Sequence, residues 1–80
     1  MDRFEYQVCQ TQQSRVTFVN GAWAGSVAPA EADAQKALDS CPQVWDYLDQ
    51  AGSSGWKLVT VTTRVQDGGQ IVDVLYLRRP

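Results

Sequence analysis

The sequence predicts an α+β domain: a four-stranded, mainly antiparallel sheet with one main helix on one face, in the order β-β-α-β-β. Three observations carry this expectation. Apolar residues recur every second position near the amino end and in two runs toward the carboxyl end. Between these runs, apolar residues recur at spacings of three and four from Cys41 to Ala51. Glycine-containing turn signals separate the pieces.

Phe4, Tyr6 and Val8 alternate with Glu5, Gln7 and Cys9, as in a strand with one buried face. Arg15-Val16-Thr17-Phe18-Val19 is a second strand, rich in β-branched and aromatic residues. Asn20-Gly21 follows, and both residues tolerate positive φ, so a tight turn is expected there. Ala22-Trp23-Ala24-Gly25 is either a short return arm or a loop. Ser26 to Asp39 is rich in alanine, but its apolar anchors are few beyond Leu38. It is either a mobile connection or a short helix.

The main helix is expected to open at Ser40-Cys41-Pro42-Gln43, whose residue types fit a reciprocal capping box with Pro42 in the first turn. Cys41, Val44, Trp45, Leu48 and Ala51 form its apolar stripe, and Gly52 or Gly55 ends it. Trp56 to Thr63 is the third strand and Ile71 to Arg78 the fourth, joined by a turn over Gln66-Asp67-Gly68-Gly69-Gln70.

The chain has 80 residues, enough for one domain spanning 1–80, and carries no internal repeat. A domain this small needs support beyond its own core, from disulfides, metals or oligomerisation. There is no His, and Cys9 and Cys41 stand far apart without a Cys-x-x-Cys pair, so neither a metal site nor a cofactor is expected. Met1 to Tyr6 reads directly into a strand with no apolar leader. The expectation is a cytoplasmic protein with free thiols, although a Cys9–Cys41 disulfide stays open as an alternative. No apolar run is long enough to cross a bilayer, so no membrane partner is expected. The net charge is −2 and the basic residues are scattered, which argues against nucleic acid as a partner. Oligomerisation remains as the expected stabiliser.

The run Gly55-Trp56-Lys57-Leu58-Val59 resembles a motif of a widespread family of small bacterial domains of unknown function. That family's pattern is an aromatic first strand, a helix ending in Leu-x-x-x-Gly-x-x-Gly-Trp-Glu-Leu-Val, and a last strand closing on an aliphatic-aromatic run with a basic residue and Pro. The corresponding parts here are Phe4 to Val8, Leu48 to Val59, and Leu75 to Pro80. Lys57 stands where the family usually has Glu, and the stretch from Val16 to Asp39 is a long insert. The resemblance implies a small sheet-plus-helix fold and no activity.

Chemistry has few carriers. Asp46 and Asp49 lie one helical turn apart and read as solvating charges. Cys41 sits near a helix amino end, where a thiol can be activated, but it also belongs to the apolar stripe and so reads as inert. An enzyme based on Cys41 or on these carboxylates is the minor alternative.

Sheet faces are more informative. Trp56 and Leu58 share one side of the third strand, with Val59, Val61 and Val65 on the other. In the fourth, Ile71, Leu75 and Leu77 oppose Val72, Val74 and Tyr76. One helix covers one face, so the second apolar face should pack against a protein partner, a second copy in a homodimer, unless the insert folds over it. Val59, Val61, Val72, Val74 and Tyr76 are the candidates for that surface. Trp23, with few packing partners in sequence, is a candidate anchor for a small ligand or peptide.

Overall fold

Tight turns build the amino-terminal half of the protein, a computed structural model that describes residues 3–30, 33–66 and 68–80. Strands β1 (Glu5–Gln12) and β2 (Arg15–Val19) join through Gln13 and Ser14, at φ 52° and 60°. β2 and β3 (Ala22–Trp23) join through Asn20 and Gly21, at φ 50° and 83°. Two successive left-handed residues are the signature of the turn whose twist matches its flanking strands. Asn20-Gly21 suits that turn, as its composition predicts. Gln13-Ser14 does not, because each Cβ meets the steric cost of left-handed backbone, about 1–2 kcal/mol per residue. Ser14→Gly is therefore expected to raise stability by about 0.5–1 kcal/mol in urea unfolding.

Two helices and two long strands follow: α1 (Ala34–Asp39), α2 (Val44–Ser53), β4 (Lys57–Val65) and β5 (Ile71–Arg79). The sheet has five strands in the order β3-β2-β1-β5-β4, and every neighbouring pair is antiparallel. The α+β architecture with one main helix agrees with expectation; four strands in β-β-α-β-β order do not. Ala22-Trp23 supplies the extra strand by pairing with Val19 and Phe18. The alanine-rich stretch supplies a second, short helix, capped by the Asp33 carboxylate on the Lys36 amide at 2.8 Å.

The expected capping box is also corrected. Ser40 closes α1 instead of opening α2: its hydroxyl donates to Ala37 O at 2.6 Å and accepts from the Val27 amide at 3.1 Å. Gln43 is extended before α2, and Val16 N donates to Pro42 O and Val44 N to Ser14 O. This short pairing, Arg15 against Gln43, needs strand-like backbone and so excludes an earlier helix start. The other end of α2 matches expectation. Gly55 takes φ 89° while its amide reaches Gly52 O and the Trp56 amide reaches Ala51 O, both at 3.0 Å. Ala51 and Trp56 also meet in the core, completing a glycine-terminated helix stop.

Register assigns the faces. Cys9 lies opposite Leu75 and Gln7 opposite Leu77. Cys9, Leu75, Leu77, Val16 and Ala51 form the main core, with Val44, Tyr47, Leu48 and Trp56 against it. α2 therefore covers this face. On the opposite face, Val8 pairs with Tyr76 and Gln10 with Val74. The insert roofs part of it. Trp23 and Gln12 line a cleft there with Pro29, Ala37 and Leu38. Arg15, paired with Gln12, donates to Asp39 O at 3.2 Å and Cys41 O at 2.7 Å, holding down the carboxyl end of α1. Val72 and Val74 are buried.

Candidate interaction surface

β4 is exposed at every position. Its bulge at Val59 resets the alternation, because Leu58 pairs with Leu77, Thr60 with Tyr76 and Val61 with Leu75. Leu58, Val61 and Val65 thus share the α2 side of the sheet, together with Ile71 opposite Val65. The expectation that Val61 and Val65 oppose Leu58 fails here, since one extra residue shifts a period of two. The α2 core stops at β5, leaving Val65 at 73% and Ile71 at 61% of full exposure.

Trp45 on α2 departs from expectation. It was expected in the core, yet it is 56% exposed. Tyr47 takes the inner place and donates its hydroxyl to Gln7 Oε1. Tyr47, Gln50 and Ser54 line a recess with Gln7 and Trp56 on one flank of α2. At 3.6 residues per turn, Trp45 falls on the other flank. Periodicity places both aromatics beside the Val44-Leu48-Ala51 stripe; the diagonal course of α2 from β2 to the start of β4 decides which one is buried.

The remaining candidates are spread apart. Val59 and Val61 are on the exposed strand, and Tyr76 is half-buried. Val72 and Val74 are buried and offer no free surface. The uncovered end of the second face carries Phe4, Tyr6 and Val8, with the Arg78 guanidinium 4.8 Å from the Phe4 ring centroid. Trp23 already has internal partners: its ring meets Phe18 edge-on at 5.3 Å, and its indole N–H donates to Val27 O at 2.8 Å. Its cleft, about 320 Å³, is lined largely by Gln12, Gln13, Gln35, Gln70 and small apolar residues.

Both cysteines are buried and free. Cys9 lies on the α2 face, and burial pushes its thiol pKa up, opposed by the hydrogen-bonding environment of Tyr47. Cys41 lies between α1 and α2; its thiol contacts Ala37 O at 3.7 Å, and burial raises its pKa against the nearby charge of Arg15. Asp46 and Asp49 face solvent on α2. Among the described residues no group of three metal-ligating side chains converges, and no helix is long and apolar enough to cross a membrane. Leu58, Val65, Ile71 and Trp45 were missed as surface residues; the only sequence signal was a strand with valines at both parities. No protein-family model, curated protein or solved structure matches this chain.

Proposed function

We propose that the protein is a noncatalytic interaction module that forms a homodimer through the exposed β4 side of its sheet. The supporting observation is surplus surface. The chain, 8.9 kDa, exposes 5563 Å², against about 4800 Å² for a monomeric protein of that mass. The excess, roughly 750 Å², is close to the about 800 Å² that each partner contributes to an interface of standard size. Its radius of gyration is 13.3 Å, where a compact chain of this length would have about 11.6 Å. β4 is exposed along its whole length, with Ile71 beside it. Covering them would supply burial that an 80-residue core lacks.

Light scattering tests this reading. At high micromolar concentration the wild type is expected at twice its chain mass, and Val61→Lys at the single mass with unchanged circular dichroism. A wild type that stays monomeric there would overturn the proposal.

A further inference from the structure

We infer that the dimer forms by edge-to-edge pairing of β4 with β4 of a second copy, antiparallel about a two-fold axis, making one continuous ten-stranded sheet. This rests on the homodimer reading and specifies its geometry.

The two edges of the sheet differ. At the β3 edge only two residues are available, and the neighbouring stretch of β2 is already occupied by Pro42 and Val44 through main-chain hydrogen bonds. At the other edge stands β4, nine residues long, with no proline and no acidic side chain. Of the devices that blunt edge strands, it has Lys57 and a bulge at Val59 near its start and Arg64 near its end, leaving Thr60 to Thr63 regular and uncharged.

The direction of its free main-chain groups follows from the hairpin. Gln66 N donates to Gln70 O at 2.8 Å, so this opposed pair is hydrogen-bonded. Bonded and non-bonded pairs alternate along an antiparallel ladder. Val65, Thr63 and Val61, opposite Ile71, Asp73 and Leu75, are the non-bonded ones. Their amides and carbonyls therefore point to the open edge. These residues also share the α2 face, so a two-fold axis normal to the sheet pairs them with like-facing residues.

Centred on Thr62, such pairing sets Val61 opposite Thr63 and Arg64 opposite Thr60 of the second copy. The two Arg64 residues then stand four positions apart along the strand axis, about 14 Å, beyond the Debye length of about 8 Å at physiological salt. Because the β3 edge is blocked, pairing closes at two copies and does not propagate.

Amide exchange followed by NMR on the wild-type protein is the first test. In the edge-paired dimer the Val61 and Thr63 amides exchange at least about 100-fold more slowly than exposed amides, as do those of Thr62 and Arg64. Thr63→Pro is the second: it removes an outward amide and keeps Val61, Val65 and Ile71, so the dimer should weaken by about 100-fold, the combined effect of two lost hydrogen bonds and their unpaired acceptors. A dimeric wild type with fast exchange at Val61 and Thr63 would mean packing through side chains, overturning this inference and leaving the homodimer reading intact. A monomeric wild type overturns both. Should Thr63→Pro fail to fold, the wild-type exchange pattern decides alone.

Discussion

Leu77→Ala is expected to cost about 3–4 kcal/mol, the largest loss from any single truncation in this protein. Leu77 is 1% exposed and sits on a central strand opposite Gln7 on one side and Leu58 on the other. It belongs to the cluster that α2 seals with Ala51, Tyr47 and Leu48. Backbone pairing on both sides leaves β5 little freedom to close the space, so both the transfer cost and the cavity cost apply. Small domains have total stabilities near the low end of about 5–15 kcal/mol. The urea midpoint should fall by half or more with the slope nearly unchanged. A loss below about 1 kcal/mol would mean that the cluster is not the folding core.

Arg15→Met should act differently, by loosening the insert and not the sheet. The Arg15 guanidinium serves the carbonyls of Asp39 and Cys41, at the point where the insert turns from one face of the sheet toward the other. Met keeps the aliphatic stem and removes both donors. Losing a charged hydrogen-bonding group of this kind costs about 1.5–3 kcal/mol. A local opening made easier by about 2 kcal/mol exposes Cys41 roughly 30-fold more often. The check is the rate of native-state labelling by a thiol reagent, with Cys9 as the internal control because its face is sealed by α2. Equal labelling of Cys41 in variant and wild type would refute the role given to Arg15.

How much could be read from residues alone depended on whether a signal was local. Asn20-Gly21 and Gly55-Trp56 each specify a backbone conformation within a few residues, and both stand where expected. β1 does alternate, but its buried side is that of Cys9 and Thr11, and the apolar side of Phe4, Tyr6 and Val8 is the exposed one. The Gln13-Ser14 turn was invisible, because its left-handed residues are imposed by the strands it joins. The bulge at Val59 was equally silent in composition, yet it moved Val61 to the side of Leu58. Ser40 carried a valid cap signal that fitted the end of one helix as well as the start of the next. For the interaction surface, Val59 and Val61 were legible as apolar residues in excess of what one helix covers. Val72 and Val74 carried the same signal, but whether the insert lay over them depended on long-range contacts from Arg15, Ser40 and Trp23.

The first and last strands of the chain are neighbours at the middle of the sheet, Glu5 facing Arg79. That pairing closes nearly the whole polypeptide into one loop, a high-contact-order arrangement that folds slowly compared with helical proteins of similar size. On the ribosome, β1, β2 and both helices emerge before their central partner exists. The hydrophobic layer beneath α2 gains Leu75 and Leu77 only once β5 has been made, so cooperative folding waits for that strand.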